Sequence, residues 1–196
     1  MSLTSSFTRP PKAFIDTTVL CGAIRKDGLN RKLLKLARSP QFYQPVLSRI
    51  CLLEFMRNSS NGLGKGNKMV KYSEEEIMTF TFSFLAPIFD NYSELPVNSI
   101  VGRYSIETII RENQPIGEVL TLLSGCSDEF AKQIAGNQEM SEPLHRFDQD
   151  DFHVWITAIQ EKCDYIVTTN TRRFPSQIGN IQRIHPGDFY DFLISE

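Results

Sequence analysis

DDFHVWITAIQEKCDYIVTTN, Asp150 to Asn170, puts two adjacent carboxylates ahead of a stretch in which Phe152, Trp155, Ile156 and Ile159 recur at helical spacing. It then ends in the β-branched run Tyr165-Ile166-Val167. An apolar period of 3.6 followed by a short apolar run reads as a helix leading into a buried strand. Asp148 adds a third acid just upstream. One Asp suffices to cap a helix and to meet the positive end of its dipole. The surplus leaves two readings open: a well-capped core helix with Asp150 as N-cap, or a helix whose first turn carries part of a metal site. Trp155 reads as core packing.

The same alternation recurs toward the N-terminus. KAFID (Lys12 to Asp16) reads as a buried strand, and NRKLLKLARS (Asn30 to Ser39) as a helix with Asn30 as its cap. FYQPVLS is extended, and SRICLLEFMRN (Ser48 to Asn58) is a helix capped by Ser48, with Ile50, Leu53 and Met56 or Leu52 facing inward. IQRIHP and GDFYDFLI supply a last strand and helix. Strands alternating with helices imply an α/β fold with a parallel sheet covered on both faces. Between roughly 62 and 146 the pattern changes. NGLGKGNK is a turn-rich loop, SEEE at Ser73 opens a helix through a capping box, and helices follow over Tyr104 to Asn113, Ile116 to Gly125 and Ser127 to Asn137. The Phe80, Phe82, Phe84 alternation also suits a strand, but the cap favours a helix. A single domain over 1–196, with residues 1–11 as a flexible tail and an all-helical insertion, is the simplest account.

The chain has 196 residues, 41% hydrophobic, and a net charge of −2. That is enough to bury a core, and too little positive charge for a uniformly basic nucleic-acid coat. The four cysteines (Cys21, Cys51, Cys126, Cys163) show neither CxxC nor Cys/His spacing, which argues against a zinc site or a disulfide framework and for a reducing, cytoplasmic setting. His145, His153 and His185 are not spaced for a metal or a triad and read as surface or boundary residues. No run approaches the roughly 20 apolar residues of a membrane span, and no apolar leader segment stands out. GLGKGNK lacks the Lys-Ser/Thr of a phosphate-binding P-loop. Arg57, Lys65, Lys68 and Lys71 instead form a mobile basic strip able to hold an RNA backbone by charge, or simply a solvated loop.

In a parallel sheet, the residues just past the carboxyl ends of the strands share one edge and ligands bind there. Asp16 and Thr168 to Asn170 fall at such ends, and a helix leading into a parallel strand starts at the same edge, bringing Asp150 and Asp151 close. Glu54, six positions after Ser48, is about 9 Å along its helix and still within reach. Two bare carboxylates 4 Å apart repel by about 4 kcal/mol at an effective dielectric near 20, so a cation is expected. Carboxylate and amide oxygens suit Mg²⁺ or Mn²⁺, whose chemistry on phosphate oxygens is phosphodiester hydrolysis.

In order along the chain, FIDTTVL, SRICLLEF, DDFHVWITAI and DYIVTTNTRRFP with the trailing HPGDFYDFL resemble the acidic motifs of PIN domains, the fold of VapC-type toxins and RNA-processing nucleases. The resemblance covers about the first 60 residues and the last 50. It implies a three-layer α/β/α fold in which Asp16 lies beside Thr168. It also implies a Mg²⁺- or Mn²⁺-dependent endoribonuclease leaving a 5′-phosphate on single-stranded RNA. Asp16, Glu54 and Asp151 match the acidic cation ligands, Asn170 the fourth ligand and Thr168 the adjacent Ser/Thr, with Asp150 in support. The chain departs from the pattern where relatives carry an Asp before the Phe of RRFP. Arg173 stands there, suited to phosphate or weakening the metal site. The segment between Glu54 and Asp151 is also longer than in compact toxins. An antitoxin partner is implied only if the chain is a toxin, and the Phe-rich middle offers a homo-oligomer interface if exposed. Two rivals remain: a catalytically inactive PIN-fold RNA-binding or scaffolding module, and a phosphatase with Asp16 as nucleophile, for which the second Asp two residues on is missing.

Overall fold

A computed structural model describes residues 9–89, 114–172 and 174–195. The expected helix over 104–113 and the residue Arg173 lie outside the described residues. Five strands, β1 (Lys12–Ile15), β2 (Gln44–Val46), β3 (Tyr165–Val167), β4 (Gln177–Ile178) and β5 (Ile181–Ile184), form one sheet in the order β2-β1-β3-β5-β4. All neighbours are parallel except the short β4, which pairs antiparallel with β5 at the edge. β4 has only two residues, too few to leave a period in the sequence.

Side chains alternate faces along a strand, and the core divides accordingly. Ala13, Ile15, Tyr165, Val167 and Ile184 face one side, where they pack with α1 (Thr17–Arg25), α2 (Leu29–Leu36) and α9 (Pro186–Ile194). Phe14, Val46, Ile166 and Ile181 face the other, against α6 (Ile116–Ser124), α7 (Asp128–Ala135) and α8 (Phe152–Gln160). Helices therefore cover both faces of the sheet, an α/β arrangement compatible with three layers. The helical segment expected as an insertion is divided between them. α4 (Glu74–Phe80), opened by the Ser73/Glu76 capping box, continues through a π-helical turn over Thr81–Leu85 into α5 (Ala86–Phe89). Its Ile77, Phe80, Leu85 and Ile88 join the first layer, whereas α6 and α7 build the second. Helical spacing thus prevails over the Phe80/Phe82/Phe84 alternation, and Phe82 is left exposed.

Three local expectations are corrected. The cap position of α2 is Gly28, so Asn30 lies inside the helix. Asn30 packs on α1 instead: a Cβ on Gly22 would stand 2.1 Å from Asn30 Nδ2 and would have to displace that side-chain amide. In α3 (Arg49–Asn61) the buried residues are Cys51, Phe55 and Ser59, while Leu53 is 66% exposed. The inward face is the i, i+4, i+8 stripe of Cys51, Phe55 and Ser59 flanked by Leu52 and Met56, which leaves Leu53 on the opposite side; along it Cys51 joins one core layer and Phe55 the other. Third, the start of the chain is held from Arg9 onward: Arg9 pairs with Asp164, and the Gln44 amide donates to the Pro11 carbonyl. No helix among the described residues is long and apolar enough to cross a membrane.

Trp155 is fully buried, with Phe147, Phe152 and Phe174 around its indole at centroid distances of 5.3–6.2 Å. Trp155→Ala is expected to cost about 3–5 kcal/mol, read as a lower urea midpoint with the slope of the transition unchanged.

Candidate functional site

The loop after β1 turns at once into α1, with Asp16 at the N-cap and its carboxylate accepting from the Thr18 amide. Asp16 is 3% exposed, and its Oδ2 also accepts from Thr18 Oγ1 at 2.6 Å and Thr168 Oγ1 at 2.7 Å. Thr168 stands just past β3, the strand paired with β1, so the sheet register itself brings these two residues together. The Thr168 hydroxyl accepts from the Asn170 amide at 2.9 Å, and the Asn170 side-chain amide donates to Asp151 Oδ2 at 2.8 Å. Asp16, Thr168, Asn170 and Asp151 thus form one hydrogen-bonded chain across the sheet edge.

That chain answers the question raised by the three upstream acids. Residues Gln149–Asp151 form a 3-10 turn leading into α8. Asp151 occupies the cap position, yet its side chain makes no capping hydrogen bond, because it points across to Asn170. Asp150, the expected N-cap, is exposed, and the interaction there is its own amide donating to Asp148 Oδ1.

Glu54 reaches the cluster from α3. Its Oε2 accepts from Thr17 Oγ1 at 2.7 Å, and its Oε1 lies 3.3 Å from His153 Nε2. His153 is only 7% exposed, which corrects the expectation of a surface or boundary residue; His145 and His185 are exposed, and His185 caps α9. Burial pulls the His153 imidazole down, but hydrogen bonds with Cys51 and Glu54 outweigh it and push its pKa up to about 10. Burial likewise works to raise Glu54, but the hydrogen bonds from His153 and Thr17 win and hold it below the usual carboxylate value. Glu54 therefore carries its negative charge against a fixed imidazolium. On Asp151 the charge of His153 works downward but is outweighed: burial first, then the charges of Asp16, Asp148 and Glu54, raise its pKa to about 7.

Sequence reasoning missed His153, Thr17, Thr18 and Cys51. Thr17 and Thr18 directly follow Asp16, and Cys51 stands three positions before Glu54, on the same helical face. Cys51, Glu54 and His153 offer ligand atoms all within 4.8 Å of one another, a grouping hidden by their spacing in sequence.

Arg57 is exposed on α3, close enough to help lower Glu54. Lys65, Lys68 and Lys71 are exposed on a loop pinned by paired Leu63 and Val70 backbone hydrogen bonds of 2.8 and 2.9 Å. Gly64, at φ +113, is needed there, since a Cβ would meet the Lys68 carbonyl at 2.6 Å.

No family model matches the chain, and neither does any curated protein or solved structure.

The raised Asp151 pKa has a thermodynamic consequence. Between its unperturbed value of 3.8 and about 7, the folded protein holds a proton that the unfolded chain has lost. Stability of the metal-free protein thus falls as pH rises through that window, and the penalty is complete above it. Asp151→Asn removes the charge while keeping an acceptor for Asn170. Its melting temperature is expected to exceed that of the wild type at pH 8 and to converge with it at pH 4.

Proposed function

We propose that the chain is a metal-dependent endoribonuclease with a PIN-like fold, its site built on Asp16, Glu54 and Asp151 with Asn170 and Thr168. The observation that carries this reading is the convergence of four remote segments on one sheet edge, where Asp151 is raised to about 7 by burial and by the charges of its acidic neighbours. The donor set fits a hard divalent ion. Asp16 and Asp151 each engage Oδ2 in hydrogen bonds within the protein, while neither Oδ1 has a hydrogen-bond partner among the described residues. Asn170 donates through its amide nitrogen, which leaves its oxygen as a further ligand atom. When bound, Mg²⁺ or Mn²⁺ supplies an acidified water and offsets charge on the phosphate. Asp16 and Asp151 would hold the ion through these Oδ1 atoms. Thr168 and Thr18 fix the Asp16 carboxylate through its other oxygen, so its orientation is set before substrate arrives. Glu54 is the outer member, with one oxygen on Thr17 and the other on His153. The exposed Arg57, Lys65 and Lys68 suit the backbone of single-stranded RNA, and an antitoxin would be a partner only of a toxin.

One observation favours the other reading, an inactive RNA-binding or scaffolding module: the His153 imidazolium already neutralises Glu54 as a fixed cation. Manganese separates the two. An active site gains melting temperature with Mn²⁺ and cleaves single-stranded RNA, whereas a dead module does neither. Asp16→Asn and Asp151→Asn are each expected to lower Mn²⁺-dependent cleavage by more than about 100-fold, and Thr168→Val, which frees the Asp16 carboxylate, by about 10-fold. Equal cleavage by the wild type and both Asn variants would defeat the assignment.

The basic loop should act on binding rather than on the chemical step. Lys65→Ala with Lys68→Ala is expected to raise KM several-fold at low salt with kcat little changed, and to flatten the dependence of KM on salt.

A further inference from the structure

We propose that Cys51, Glu54 and His153 form a second metal site, one for Zn²⁺ or a similar borderline-soft divalent ion, adjoining the carboxylates and sharing Glu54 with them. The three ligand atoms come from two elements, Cys51 and Glu54 one helical turn apart on α3 and His153 from the first turn of α8. All lie within 4.8 Å of one another, and His153 Nε2 stands 3.3 Å from Glu54 Oε1. Ligand atoms around tetrahedral zinc, at bond lengths of about 2.0–2.3 Å, are roughly 3.3–3.7 Å apart, so small side-chain adjustments close the set. Cys51 is fully buried and His153 nearly so, while Glu54 is half-buried, which leaves the solvent side for a fourth ligand such as water.

The surroundings are those of a built site. Thr17 Oγ1 donates to Glu54 Oε2 at 2.7 Å and orients the carboxylate with Oε1 toward His153, as outer partners orient metal ligands. Thiolate and imidazole together select against Mg²⁺ and for zinc. Resting on the ribonuclease reading, the consequence is inhibition by zinc, because a dication held at Glu54 sets positive charge beside Asp16 and Asp151 and weakens their hold on a hard divalent ion.

The test begins with Co²⁺, a spectroscopic stand-in for zinc, titrated into the metal-free full-length protein. One Co²⁺ per chain with a thiolate-to-cobalt charge-transfer band, displaced by Zn²⁺, is expected. Cys51→Ser should abolish the band, and both Cys51→Ser and His153→Gln should weaken Zn²⁺ binding by more than about 100-fold, with circular dichroism reporting their folding. The wild-type band needs no variant: Co²⁺ binding without it overturns the site, as does wild-type zinc affinity in folded Cys51→Ser. In Mn²⁺-dependent RNA cleavage, one equivalent of Zn²⁺ should inhibit the wild type at least 10-fold and spare Cys51→Ser. Equal inhibition of both refutes the coupling. A wild type with the cobalt band but no cleavage would sink the ribonuclease reading and keep the zinc site. Cleavage without the band would do the reverse.

Discussion

The site depends on a carboxylate withdrawn from water. Asp16 is held at 3% exposure at the end of a central strand, where hydroxyl and amide donors converge on one carboxylate oxygen. Burying an ionised carboxylate without such donors costs several kcal/mol. The donors come from α1 and from the residue after β3, so the stability of that charge is tied to the pairing of β1 with β3. Sheet register and site geometry are therefore one constraint: a slip of one residue would turn Ile15 and Val167 to the wrong layer and carry Thr168 away from Asp16.

The acids around Asp16 are treated differently, and the difference gives each its chemistry. Glu54 is stabilised as an anion by a buried imidazolium and a threonine hydroxyl, whereas Asp151 faces its acidic neighbours with a single amide donor. Two carboxylates within one cluster are thus pushed apart in pKa, Glu54 down and Asp151 up. Such divergence marks functional sites more often than structural ones. Asp151 has the most to gain from a cation, because that cation would relieve the repulsion that raises it. A purely structural cap would gain nothing by turning away from its helix.

The alternation of strands and helices was legible where an apolar period marks the element, as in β1, α2, α8 and β3, whereas α1 and the two-residue β4 went unread; the acids at β1 and α8 could be assigned to one edge from topology alone. What escaped the sequence has physical causes. α3 is apolar on more than one side, so the wheel admits either an Ile50/Leu53/Met56 face or a Cys51/Phe55/Ser59 face, and the second is the one buried, between two layers, while Leu53 faces water. The middle segment reads as an insertion, yet Ile77 and Phe80 join one layer and Ile116 and Leu120 the other, a division that no local period encodes. His153 was invisible as a site residue because its partner is a carboxylate on a distant helix. Spacing rules for histidine and cysteine see only ligands that are close along the chain.

Charge accounting ties these observations together. With Glu54 paired to an imidazolium, the His153 charge offsets only part of what acts on Asp151, which holds its proton toward neutrality under burial and the charges of Asp16, Asp148 and Glu54. A hard divalent ion at Asp16 and Asp151 would let that proton go while leaving the Glu54–His153 pair intact. A softer ion drawn to Cys51 would instead break the pair and leave Asp151 protonated. The two ions would therefore engage different halves of one cluster, and only the softer one would disturb Glu54. Its half-buried position on α3, between the hydroxyl of Thr17 and the ring of His153, makes it the point at which metal identity can be read.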